Sequence, residues 1–155
     1  TKVVGVLATQ GTLSSTLFTQ TSAAYTQDVL VVEQVGNGLV EAIETGPLDD
    51  PKLATLVGSY IKPMLEQHMD TLVLGCTHYP LLLPLLKKIL PNNIQIIDSA
   101  EAVAKQTHKI LKENQLLCLT QETGSIQYFS SAKNSSLLGF IPKEAEVRPL
   151  TSDPA

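Results

Sequence analysis

The stretch Thr71-Leu-Val-Leu-Gly-Cys-Thr-His-Tyr-Pro80 decides how this chain is expected to fold. Its first half, residues 71–75, is a short apolar run that stops at a glycine, which is typical of a buried parallel strand reaching its end. Cys76, Thr77 and His78 follow directly. Ligands of open α/β sheets bind just outside the carboxyl ends of the strands. The stretch therefore predicts an α/β fold with these three side chains at its binding edge.

Apolar runs and helical patterns alternate on both sides of this stretch. Strands are predicted at residues 2–8, 28–33, 71–75 and 94–98, and helices at 12–25, 38–44, 51–65, 84–90 and 99–114. Alternating strands and helices imply parallel pairing, with helices covering both faces of the sheet. The sequence therefore predicts a four-stranded parallel sheet with helices on both faces.

The pattern weakens in the last third of the chain. A further strand is predicted at residues 126–130, and the sequence from residue 142 onward has little periodicity. A single strand needs an edge to pair with, so we expect its natural neighbours to lie outside this chain. The final helix and this strand are therefore expected to belong to a second, incomplete domain.

Composition excludes several classes of protein. Apolar residues make up 43% of the 155 residues, which fits a globular protein rather than a disordered one. The net charge of −4, without a basic stripe and with 5% aromatic residues, leaves little to bind nucleic acid. An apolar run long enough to span a bilayer is lacking, so we expect no membrane partner. Two cysteines make no disulfide framework, and we expect both to be free thiols in a reducing compartment.

Polar side chains follow three of the predicted strands, and parallel strands bring them to one edge. Hydroxyls such as that of Thr12 and the backbone N–H groups of helix N-termini favour a carboxylate or phosphate. A Cys76 thiolate, favoured by a helix N-terminus and by His78, could act as a nucleophile or as a base. Glu44 could orient His78, as carboxylates fix imidazole tautomers. The pattern thus indicates a site for acid–base or nucleophilic chemistry.

Each of these residues also has a structural interpretation. Cys76 could be a small buried apolar residue, and His78 could bind a loop carbonyl. Thr12 could cap a helix, and Glu44 could be a solvated surface residue. A zinc site is not predicted, because Cys76 and His78 have no second ligand pair at the usual spacing. The residues taken alone leave these alternatives open.

Three segments together resemble the glutamate racemase family. Residues 70–82 (DTLVLGCTHYPLL) resemble its second cysteine motif. Residues 4–15 (VGVLATQGTLSS) resemble its strand and threonine-rich loop, and residues 39–46 (LVEAIETG) resemble the segment whose glutamate lies near the catalytic histidine. The resemblance covers residues 1–115 and extends more weakly to residue 131. It implies an Asp/Glu racemase-like domain.

The resemblance implies a cofactor-independent isomerase of the bacterial cytoplasm. Such an enzyme interconverts L- and D-glutamate and supplies D-glutamate for peptidoglycan, and so for cell wall biogenesis and cell shape. Two thiols flank the α-carbon, and each direction uses one as base and the other as acid. By resemblance, Cys76 is one of these thiols, His78 assists its proton transfers, and Glu44 supports His78. Thr77, His78 and Thr12 are implied to contact the substrate.

The resemblance also implies that part of the family's site is missing. The family's N-terminal half, with the other cysteine in an Ala-Cys-Asn-Thr type motif, has no counterpart here. Cys118 lacks the Asn-Thr that should follow it. We therefore expect a C-terminal portion, inactive alone, with an α/β domain at residues 1–99. Residues 100–155 would pack on the absent N-terminal domain. As partners we expect either a missing N-terminal half or further copies of this chain in a homo-oligomer.

Two other functions remain open at this level. Cys76 could serve as the nucleophile of a thiol hydrolase or transferase with His78 as its base, although neighbouring positions on one loop are poor geometry for that pair. Alternatively, the chain could be a non-catalytic binding or interaction module that keeps the fold. Its last helix and strand would then require a partner.

Overall fold

The computed structural model describes residues 1–118, 120, 124–131, 141–142 and 145–150. The backbone forms two compact units, residues 1–115 and residues 116–155. The sequence predicts a different division, after residue 99, because residues 100–155 are expected to pack on an absent domain. That division stays a prediction. Within the described ranges, none of the helices has the length and apolar character needed to cross a membrane.

Four parallel strands form the sheet of the first unit, in the order β2-β1-β3-β4. They are β1 Val3–Ala8, β2 Leu30–Val35, β3 Thr71–Gly75 and β4 Gln95–Asp98. β3 coincides with the predicted strand, and β2 lies slightly later in the sequence than predicted. The predicted α/β fold with a four-stranded parallel sheet is confirmed.

The chain reverses its direction across the sheet between β1 and β3. From β1 it moves outward to β2, and it then crosses back to β3 and continues to β4. Right-handed crossovers in opposite directions put their helices on opposite faces. The neighbours Ala8 and Gly75 end β1 and β3 side by side, and a Cβ on Gly75 would lie 2.8 Å from the Ala8 Cβ. This is the switch point at which α/β sheets bind ligands.

Six helices and one 3₁₀ turn are described in the first unit. In chain order they are α1 Gln10–Leu13, α2 Thr16–Tyr25, α3 Leu39–Thr45, α4 Pro51–Glu66, the 3₁₀ turn Tyr79–Leu82, α5 Leu83–Ile89 and α6 Ala100–Glu113. α4 begins as predicted, with the Asp50 carboxylate accepting from the Lys52 N–H at 2.8 Å and Pro51 in the first turn. It continues past Pro63 to Glu66.

The hydrophobic core lies on the face of the sheet that carries α3, α4 and α5. α4 contributes residues at helical spacing, as its sequence predicts, and the strands contribute every second residue. The buried members of this cluster are Leu7, Leu39, Ile43, Leu53, Val57, Ile61, Met64, Met69, Leu72, Leu74, Tyr79, Leu82, Leu86 and Leu90. α3 and the 3₁₀ turn both contribute residues to this core. Their packing therefore fixes the orientation of the side chains at the ends of these two elements.

The first predicted helix is wrong in its extent. Instead of one helix over residues 12–25, α1 and α2 are separated at Ser14 and Ser15, because the Ser15 hydroxyl accepts from the Phe18 N–H at 3.1 Å and starts a new helix. Thr9 caps α1, so Thr12 is not its cap. Leu17 on α2 is 75% exposed, so this leucine contributes nothing to the core.

The second unit contains a short parallel pair, β5 Tyr128–Ser130 and β6 Val147–Pro149. The predicted strand at 126–130 therefore has a neighbour within the chain, contrary to expectation. β6 is only three residues long and ends in a proline, so its sequence carries no alternating pattern that would announce a strand. The rest of the predicted C-terminal segment, residues 119, 121–123, 132–140, 143–144 and 151–155, lies outside the described residues.

Candidate active site

The loop after β3 carries three of the predicted site residues. Cys76 is a half-buried free thiol, and its carbonyl accepts from the Tyr79 N–H at 3.1 Å, which closes a tight turn. Thr77 lies exposed at the tip of this turn, and His78 is half-buried. The apolar strand thus ends at the switch point and presents a thiol, a hydroxyl and an imidazole in succession.

Thr12 connects the loop after β1 to the end of β3. Its hydroxyl lies 3.1 Å from the Thr9 hydroxyl and donates to the Gly75 carbonyl at 3.4 Å. Gly75 directly precedes Cys76, so the structure brings Thr12 to the residue next to the thiol. Because Thr12 lies across the switch point, its hydroxyl is close to the backbone of the Cys-Thr-His loop without being a helix cap.

Glu44 and His78 form a direct pair. Glu44 Oε1 lies 2.8 Å from His78 Nε2, and the two side chains are 36% and 31% exposed. Glu44 stands near the end of α3, whose rotation is set by the buried Leu39 and Ile43. A carboxylate accepts but does not donate, so this contact holds the hydrogen of a neutral imidazole on Nε2 and leaves Nδ1 as the acceptor.

Tyr79 joins this site although the sequence did not point to it. Its ring is fully buried, and its hydroxyl donates to the Gly36 carbonyl at 3.2 Å. Burial first, and then the charges of Cys76 and Tyr60, raise the pKa of Tyr79 to about 12, so the phenol remains a donor at neutral pH. A motif shows that a tyrosine follows His78, but it cannot show which carbonyl, far away in sequence, the hydroxyl will meet.

The remaining histidines and the second cysteine are exposed side chains. His68, which follows the end of α4, and His108, on α6, are both exposed. Cys118 belongs to the second unit, is exposed, and lies 3.1 Å from the Thr120 hydroxyl. Within the described ranges, no cluster of three or more His, Cys, Asp or Glu side chains is arranged to hold a metal ion.

Comparison with known proteins identifies relatives of this arrangement. The sequence pattern of the family described as Asp/Glu/Hydantoin racemase matches residues 1–107. A glutamate racemase of Pseudomonas putida F1 is 44% identical over 140 residues, which are 90% of this chain and 52% of that protein. A glutamate racemase of Pseudomonas syringae pv. tomato is 48% identical over 115 residues, 74% of this chain and 42% of that protein.

Solved structures agree with the sequence relatives. The crystal structure of glutamate racemase isoform RacE1 from Bacillus anthracis superposes with a TM-score of 0.84 at 26% identity, covering 97% of this chain and 58% of that one. The chain thus spans about half the length of the relatives that it matches. The resemblance inferred from the three motifs is confirmed.

Proposed function

We propose, since this chain belongs to the Asp/Glu/hydantoin racemase family, that it provides one acid/base thiol of a cofactor-independent glutamate racemase. Cys76 carries the proposal: it is a free, half-buried thiol that follows β3 at the switch point. His78 lies two residues further along the same loop, where its ring contacts Glu44 of α3. The similarity to glutamate racemases supports glutamate as the substrate.

The proposed chemistry is proton transfer at the α-carbon of glutamate. The Cys76 thiolate removes the α-proton in one direction, and its thiol returns a proton in the other. The α-proton is weakly acidic, so preorganised donors must stabilise the developing negative charge. The Thr77 and Thr12 hydroxyls are proposed to bind the substrate. His78, with its tautomer held by Glu44, assists the proton transfers of Cys76.

A two-thiol reaction requires a second thiol on the opposite face of the α-carbon. Cys118 belongs to the second unit of the chain and lacks the sequence context of the family's other cysteine. We propose that polypeptide outside these residues supplies that thiol, either as another part of the same protein or as a partner chain. This chain alone is therefore expected to bind and orient glutamate without interconverting its enantiomers.

The biological role proposed from this activity is the supply of D-glutamate for peptidoglycan. That role would place the protein in the bacterial cytoplasm and link it to cell wall biogenesis and cell shape. It depends entirely on the proposed activity, and it stands or falls with the enzymatic test.

The test is a fusion that completes the site. The part of the Pseudomonas putida racemase that this chain does not match is joined to this chain, and deuterium incorporation at the α-carbon is followed by NMR for both glutamate enantiomers in D₂O. Racemisation is expected from the fusion and not from the chain alone. Cys76→Ser should lower the rate by about 10²- to 10⁴-fold, the usual contribution of a general acid or base.

Cys118→Ser provides the matched control, because it makes the same substitution at the second cysteine of this chain, which is exposed. Its rate should equal that of the parent fusion. A Cys76→Ser fusion that stays folded by circular dichroism and racemises as fast as the parent would refute the role of Cys76. Full racemisation of both enantiomers by the unfused chain would refute the need for an outside thiol.

A further inference from the structure

Tyr79 ties the Cys-Thr-His loop to a turn on the other side of the site. The residue directly follows His78, and its phenol is fully buried. Its hydroxyl donates to the carbonyl of Gly36, 43 positions earlier in the sequence, at 3.2 Å. The contact crosses from the loop after β3 to the loop after β2. A side chain adjacent to the imidazole thus reaches the segment from which α3 begins.

Gly36 is shaped to receive this hydroxyl. It is buried, and a Cβ at this position would lie 2.4 Å from the Tyr79 Oη and 2.7 Å from the Leu39 Cδ1. Its N–H donates to the Ala8 carbonyl at 2.9 Å. Any side chain at position 36 would displace the phenol, so the glycine permits the close approach of the Gly36 backbone and the Tyr79 hydroxyl. Gly36 is thus held by hydrogen bonds at both its carbonyl and its N–H group.

The contact closes a ring of interactions around the site. From Gly36 the chain enters α3, near whose end Glu44 lies 2.8 Å from His78. His78 is covalently joined to Tyr79, whose hydroxyl returns to Gly36. One hydrogen bond therefore sets the start of α3, and the other sets its end, against the same short loop.

We propose that Tyr79 is a positioning residue, whose hydroxyl holds the turn at residues 36–38 and thereby keeps Glu44 against His78. Only the catalytic consequence of this role rests on the proposed function. A buried phenol whose pKa is raised by burial stays protonated and keeps donating, which suits a permanent link. The role differs from packing because it predicts an effect on the tautomer of the His78 ring.

Tyr60 provides a matched control for the hydroxyl. It lies on α4, and its OH donates to the Asn37 carbonyl at 2.8 Å, in the same turn. Tyr60→Phe and Tyr79→Phe each delete one hydroxyl and keep the ring. Of these two tyrosines, only Tyr79 lies in the loop that carries His78. Tyr60→Phe therefore loosens the turn alone, whereas Tyr79→Phe also removes the link between the turn and the loop.

The experiment is ¹⁵N NMR of the histidine rings in this chain at about pH 8, where an imidazole is ordinarily neutral. The parent His78 should show distinct protonated Nε2 and unprotonated Nδ1 signals, and the exposed His68 and His108 serve as averaged references. Tyr79→Phe should shift the two His78 signals toward those averaged values, and Tyr60→Phe should leave them in place. Unchanged His78 signals in folded Tyr79→Phe, or equal changes in both variants, would overturn the proposal.

A second variant keeps the test decisive if Tyr79→Phe does not fold. Gly36→Ala pushes the hydroxyl away while retaining the phenol, and Gly58→Ala adds a methyl group where nothing lies within 4 Å. The same shift of the His78 signals is expected from the first and not from the second. In a fusion that racemises glutamate, Tyr79→Phe should lower kcat by about 10- to 100-fold, with a smaller effect on KM. A fusion that does not racemise would count against the proposed function and leave the NMR result intact.

Discussion

The helices α4 and α2 connect strands of the same sheet, yet they stand in opposite environments. α4 buries Leu53, Val57, Ile61 and Met64 in the core. α2 keeps solvent exposure along its whole length, with Tyr25 83% exposed. Two sides of the site are correspondingly built in different ways. Apolar packing holds the side with the Glu44–His78 pair, and hydrogen bonds between hydroxyls and backbone connect the threonine-rich loop to the other side.

Truncating a side chain on the packed side should have the largest effect. Leu72 is fully buried in β3, the strand that leads to Cys76. Leu72→Ala removes buried methyl groups and leaves a cavity, so we expect the free energy of unfolding to fall by about 2–5 kcal/mol. Urea unfolding followed by circular dichroism measures it. The control is Leu17→Ala on exposed α2, with an expected change below about 0.5 kcal/mol; equal losses for both would erase the contrast between the two sides.

Alkaline pH should weaken the packed side next. The phenol of Tyr79 titrates near its ordinary value of 10.0 when unfolded and at about 12 when folded. Between these values the unfolded state binds fewer protons, so stability is fully present below pH 10 and falls as the pH rises to about 12. The loss from this group is about 2–3 kcal/mol, at about 1.4 kcal/mol for each unit of pKa.

Comparison of the parent chain with Tyr79→Phe isolates this contribution, since other groups that titrate at high pH are common to both. Denaturation midpoints measured from pH 9 to pH 12 should fall more steeply for the parent. Parallel curves for the two proteins would show that the Tyr79 phenol does not stay buried at the pH at which it ionises.

Helix caps should give the smallest difference between the two sides. Asp50→Ala removes the acceptor for the Lys52 N–H at the start of α4, and Ser15→Ala removes the one for the Phe18 N–H at the start of α2. We expect Asp50→Ala to lower the global free energy of unfolding by about 1 kcal/mol. Ser15→Ala should mainly fray α2, because that helix contributes little to the core.

Amide hydrogen exchange distinguishes the two outcomes. Protection should drop throughout the core in Asp50→Ala and only within α2 in Ser15→Ala. A global loss of protection in Ser15→Ala would mean that α2 stabilises the sheet in spite of its exposure.

Prediction from sequence succeeded where a local pattern also determines burial. The apolar run ending at Gly75 coincides with β3, and the Asp50-Pro51 start with helical spacing beyond it gives α4. It failed for α2, whose apolar residues form no continuous stripe, and at Ser15, where a side-chain cap divided one expected helix into two. It also failed for β6, whose short segment gains its strand geometry only by pairing with β5.

The sequence by itself determined the four strands of the parallel sheet and the loop on which Cys76, Thr77 and His78 stand, because periodicity and chain breaks act over a few residues. The tertiary structure alone decided that Glu44 meets His78, that Thr12 reaches Gly75, and that Tyr79 reaches Gly36. These contacts join residues far apart in the chain. They form only after parallel pairing and the one-sided core have brought three loops to the same edge of the sheet.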